Sequence, residues 1–187
     1  VPITAGAVAL ANNEKSANQF FKDINAVADK YSWDGFVLDL EGPKNNRTQG
    51  AAVLQWLDRF ADALHSRKRL LMAFIHRCPT ADFDISCRWF NASMSMDAFI
   101  TMATYTASRR EWLKFFDASV GIVDPLKYAP GMAYNQDLSA YKYGYRNMEY
   151  MLHKGVNKVV VWNNPPPNQG YWDVLGYFLN AARTPCG

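Results

Sequence analysis

The chain alternates short apolar runs with longer stretches in which apolar residues recur every three or four positions, and the alternation repeats six times. Residues 34–41, 69–76, 97–105, 127–135 and 157–164 are strand-like runs, and "PITAGAVAL" at 2–10 reads as the first of the series. Helical periods follow most of them. In 12–31, Phe20, Phe21, Ile24, Val27, Ala28 and Tyr31 fall at helical spacing, and 50–67, 107–120, 143–155 and 170–183 are amphipathic in the same way. The run at 69–76 leads instead into an irregular segment bounded by Cys78 and Cys87. Apolar strands alternating with helices predict a parallel sheet with crossover helices, an α/β fold.

No sequence repeat or low-complexity tract interrupts this pattern. The Pro-rich piece "NNPPPNQG" at 163–170 lies between a strand run and a helix and is too short for an interdomain linker. Residues 1–187 are therefore expected to form a single domain. A barrel of eight βα units usually takes about 250 residues. Six strand runs in 187 residues predict such a barrel without its first two units, which a companion fragment of the same precursor would supply.

Ligands of parallel α/β folds collect at the carboxyl ends of the strands. In "SWDGFVLDLEGP" at 32–43, Phe36, Leu38 and Leu40 share one face of a strand, and Val37, Asp39 and Glu41 share the other. Two carboxylates on one face, with backbone positions roughly 7 Å apart at about 3.3 Å per residue, burden a core and suit a site. The other runs end in Thr4-Ala5-Gly6, in His76, in Thr104-Tyr105-Thr106, in Tyr134-Asn135 and in Trp162-Asn163. One acid pair ringed by aromatics and amides fits a polyhydroxylated ligand, stacked on its faces and hydrogen-bonded at its edges.

The stretch Asp34-Gly35-Phe36-Val37-Leu38-Asp39-Leu40-Glu41 resembles the DGxDxDxE signature of family 18 glycoside hydrolases, which stands on the fourth strand of a (β/α)8 barrel of TIM type. "VPITAGA", "ATYT" at 103–106 and "VVVWNN" resemble the family's third, sixth and eighth strand regions in the same order. The resemblance implies that the chain supplies about six βα units, strands 3 to 8. It also implies a substrate-assisted retaining mechanism, outside the usual two-carboxylate scheme. Glu41 would protonate the leaving oxygen, which requires a carboxyl held neutral. Asp39 would orient the substrate's acetamido group as its oxygen attacks the anomeric carbon. Tyr105 would bind that oxygen, and Trp162 would pack beneath the sugar ring, with Tyr134 and Asn163 as further substrate contacts. The family's first motif Asp is Val37 here, and its sixth-strand Asp is Thr106. Hydrolysis of chitin or N-linked glycans is one expectation. A catalytically impaired lectin using the same cleft, or a structural or interaction protein, is the alternative.

Composition narrows the partners. A net charge of +3 with scattered Lys and Arg gives no electrostatic footprint for nucleic acid, and no apolar run is long enough to span a bilayer. Aromatics at 14% fit a large core first, and stacking platforms for sugar rings as the alternative. No His/Cys cluster has metal-ligand spacing and no Gly-rich phosphate loop follows a strand, so neither metal nor cofactor is expected. Three cysteines fit one local Cys78–Cys87 disulfide with Cys186 left over. Asn46-Arg47-Thr48 and Asn91-Ala92-Ser93 match the glycosylation sequon. With the cysteines they predict a secreted or lumenal protein, already processed.

Overall fold

The computed structural model describes residues 3–39, 47–75, 95–101, 108–133, 144–162 and 169–183, except for a few side chains at the element ends, Trp162 among them. The chain divides into two compact units, one of 1–76 and 80–99, the other of 77–79 and 100–187.

The first unit opens with helix α1 (Ile3–Ala11), where the sequence pattern predicts a strand. Nearly every residue of this segment is apolar, so periods of two and of 3.6 fit equally. Propensity then decides, because Ala5, Ala7, Ala9 and Ala11 are the best helix formers. The chosen helix buries Ala7 and packs on α2 (Glu14–Tyr31) and α3 (Arg47–His65). Asn13 caps α2 by accepting the Ser16 amide at 3.0 Å. At the other end Ser32 adopts a left-handed conformation (φ 55°), and the Trp33 amide donates back to the Ala28 carbonyl at 3.0 Å.

The inward face of α3 is Val53, Trp56, Leu57, Phe60, Ala61 and Leu64, all buried at helical spacing. Phe60 stacks on Phe21 of α2 with centroids 5.4 Å apart, and Phe20 and Trp56 complete an aromatic core. Each such side chain contributes on the order of 1.5–3 kcal/mol through burial. Strand β1 (Gly35–Asp39) lies on this core and pairs in parallel with β2 (Leu70–Ile75), from Gly35 opposite Leu70 to Asp39 opposite Phe74. A Cβ at Gly35 would stand 2.2 Å from the Leu70 carbonyl oxygen, so only glycine fits this close pairing. Arg69 ties the entry of β2 to α2. Its guanidinium donates to Asn25 Oδ1 at 2.8 Å, to the Trp33 carbonyl at 3.3 Å and to Asp29. That hydrogen bond from Arg69 is the main cause holding the Asp29 carboxyl below its usual range.

Strand β3 (Ala98–Thr101) spans the point at which the units divide, Ala98 and Phe99 belonging to the first and Ile100 and Thr101 to the second. The second unit continues with α4 (Arg109–Val120), opened by a capping box. The Ser108 hydroxyl accepts the Glu111 amide at 3.2 Å and donates to the Glu111 carboxylate. A single 3₁₀ turn (Pro125–Lys127), capped by Asp124, leads into β4 (Tyr128–Ala133). Helix α5 (Gly144–His153) follows, then β5 (Val160–Trp162) and α6 (Gln169–Arg183). Gly144 lets α5 approach α6, because a Cβ there would press within 2.9 Å of both Val174 methyls. Strands β4 and β5 are parallel, with Gly131 opposite Val160 and Ala133 opposite Trp162. The α/β class with parallel strands matches the sequence expectation, with five strands among the described residues instead of six. No described helix is long and apolar enough to cross a membrane.

Candidate functional site

The carboxyl end of β1 is the part of the expected site that the structure describes. Phe36 points toward the helices, its ring 6.5 Å from Phe60 of α3 and edge-on to Trp33 at 5.6 Å. The strand's alternation therefore sends Val37 and Asp39 to the opposite face. Exposure agrees. Phe36 and Leu38 are half-buried, whereas Val37 is 51% exposed and Asp39 is exposed. The Asp39 carboxylate makes no hydrogen bond or ion pair with another described residue, while its backbone lies in the ladder with β2. Among the described residues both of its oxygens are open to an amide or hydroxyl donor.

Glu41, Tyr105, Tyr134 and Asn163 lie outside the described residues, as do Thr106, the three cysteines, Asn46 and Asn91. Trp162 closes β5 in the second unit and stands in register with Ala133, the last residue of β4. Asp39 and Trp162 belong to different units.

Two polar clusters that the sequence pattern does not single out are structural. His65 is partly exposed at the end of α3, and its Nε2 lies 2.9 Å from Asp97 Oδ2. The same oxygen accepts the Leu71 amide at 2.8 Å, and the Asp97 amide donates back to the Leu71 carbonyl. Together these bonds fix the entry of β3 against β2. In the second unit, Thr101 Oγ1 and the Tyr128 hydroxyl are buried 3.0 Å apart. Burial pushes the Tyr128 phenol up to about 12, while hydrogen bonds from Thr101 and Ser119 act in the opposite sense. A third feature is apolar and open to solvent. Tyr31 and Trp33 stack in the open at the amino end of β1. A search confined to carboxyl strand ends passes over them, although two aromatics one residue apart between a helix and a strand are a visible signal.

No family model matches the chain, and no curated protein does. Solved structures do. A chitinase from Chromobacterium violaceum superposes with a TM-score of 0.69 at 11% identity, covering 92% of this chain and 74% of that one. The GH18 chitinase ChiB from the chitin utilization locus of Flavobacterium johnsoniae gives a TM-score of 0.62 at 12% identity, covering 94% and 70%. Catalytic domain 2 of the Group II chitinase of Ostrinia furnacalis, a mutant in complex with penta-N-acetylchitooctaose, gives 0.51 at 15% identity, covering 67% and 40%. At these identities the likeness speaks for fold. The chain has the α/β fold of the family 18 chitinases and corresponds to part of their TIM barrel.

Proposed function

We propose that this protein binds N-acetylglucosamine-containing glycans at the carboxyl ends of its strands and hydrolyses them by a substrate-assisted retaining mechanism. The observation that carries this reading is Asp39. It stands on the open face at the end of β1, two residues before Glu41, in a chain with the family 18 chitinase fold. The chito-oligosaccharide held by the Ostrinia chitinase supports the ligand class. Glu41 acts as the acid on the glycosidic oxygen and Asp39 orients the acetamido group. Tyr105, Trp162, Tyr134 and Asn163 bind the substrate. The test is hydrolysis of a fluorogenic chito-oligosaccharide. Glu41→Gln should abolish turnover and leave binding largely intact, because a general acid acts mainly in the transition state. Equal losses of binding and turnover would assign Glu41 a structural role instead.

Val37 favours a second reading, a lectin using the same cleft. An apolar side chain, 51% exposed, occupies the site face where the family signature carries a carboxylate. Saturable oligosaccharide binding without turnover would select it. The sequons and the Cys78–Cys87 pair support secretion, and β1, paired only with β2 among the described residues, leaves an edge for a strand of a companion fragment. Masses measured with and without reductant on native material test both the disulfide and the companion.

A further inference from the structure

The end of β1 opposite to Asp39 carries two large aromatic rings in the open. Tyr31, the last residue of α2, is 56% exposed, and Trp33 is 48% exposed. Their rings stack at 5.4 Å with an interplanar angle of 25°. An exposed, ordered pair of this kind is informative in a way that a single exposed Leu is not.

The backbone beneath the pair is fixed from three sides. The left-handed Ser32 ends the helix, the Trp33 amide is bonded to Ala28, and the Trp33 carbonyl accepts from Arg69. The edge of Phe36 supports the Trp33 ring from within. Charged groups stand beside the rings: Lys30 Nζ lies 5.1 Å from the centre of the Tyr31 ring, and Asp34, next along the chain from Trp33, is exposed. Rigid apolar plates with a charged rim complement a pyranose, whose faces are C–H and whose perimeter is hydroxyl.

Size argues against a protein partner. A fully buried aromatic side chain covers about 150–250 Å², so two half-exposed rings offer roughly 200 Å². A stable protein interface needs about 800 Å² from each side.

We infer that Tyr31 and Trp33 form a second carbohydrate-binding surface, which takes a polysaccharide chain by stacking, remote from the Asp39 end. The class of sugar, a polymer of N-acetylglucosamine, rests on the function proposed above; the surface itself rests on the geometry of the two rings. Trp33 and Asp39 are six steps apart along the chain, on the order of 20 Å at about 3.3 Å per residue. A single short oligosaccharide therefore does not occupy both places, whereas a polymer is long enough to.

The test compares the whole chain with Tyr31→Ala and Trp33→Ala in binding to insoluble chitin, to cellulose and to a soluble chitotriose. Each variant should bind chitin about tenfold more weakly or worse, with chitotriose binding unchanged. Should loss of the Phe36 contact unfold Trp33→Ala, Tyr31→Ala decides alone, since it leaves the Trp33–Phe36 contact in place. Wild-type binding to chitin by both variants, absence of chitin binding by the unaltered protein, or equal retention on cellulose would overturn the inference. So would a dimer in solution that disappears in Trp33→Ala. Retention on chitin that depends on Trp33, in a protein that binds no chitotriose, would uphold this surface and overturn the cleft reading.

Discussion

Strands β1 and β4 are both parallel and both rest on aromatic helix faces, yet they differ in what they expose. In β1, Phe36 packs toward Phe60 while Val37 and Asp39 stay open on the other face. In β4, Tyr128 packs on Phe116 with centroids 5.5 Å apart, and the next residue, Ala129, is only 2% exposed. Pro130 and Gly131 are buried as well. A strand closed on both faces tolerates a polar group only with partners in place. Tyr128 meets that condition through Thr101 and Ser119. The open face of β1 imposes no such condition, so a carboxylate there costs the fold little. The polar groups of β4 belong to stability, and the carboxylate of β1 is a candidate for function.

Carboxylates placed on each strand test this contrast most directly. Ala129→Asp buries an uncompensated charge and should cost about 3–5 kcal/mol, enough to unfold much of the protein in chemical denaturation. A loss near zero would show that β4 is not closed. A smaller effect is expected from Tyr128→Phe, about 1–2 kcal/mol from the lost hydrogen bonds. Its pH dependence carries the sign. The folded phenol titrates at about 12 against 10 unfolded, so its contribution is complete below pH 10 and is lost as pH rises through 12. The unaltered protein should therefore lose about 2–3 kcal/mol across that window, and Tyr128→Phe should not show that loss. The smallest change in stability belongs to Val37→Asp on the open face of β1, within about 0.5 kcal/mol. Its effect should appear in catalysis, as a gain in chito-oligosaccharide turnover where the signature's carboxylate is restored. A stability loss comparable to that of Ala129→Asp would break the distinction between the strands.

Local pattern was legible wherever one period excluded the other. The inward face of α3 repeats every three or four residues, and the polar positions between leave no room for a strand. In β1 the alternation of Phe36, Val37, Leu38 and Asp39 foretold which face each would take. At 3–11 nearly every residue is apolar, both periods fit, and the expected strand is a helix. Of the expected site, the described structure shows Asp39 on the open face and Trp162 at the end of β5.

By itself the sequence determined the α/β class, the paired faces of β1 and the amphipathic helices that cover it, because periodicity and capping act between residues close along the chain. Only the tertiary structure decided that Arg69 reaches Trp33 and Asp29, that His65 meets Asp97, and that Tyr31 and Trp33 stack in the open. The partners in the first two pairings stand more than thirty positions apart. No local pattern encodes such contacts; they form where a helix end, a strand start and a turn are brought to one place by the burial of everything between them.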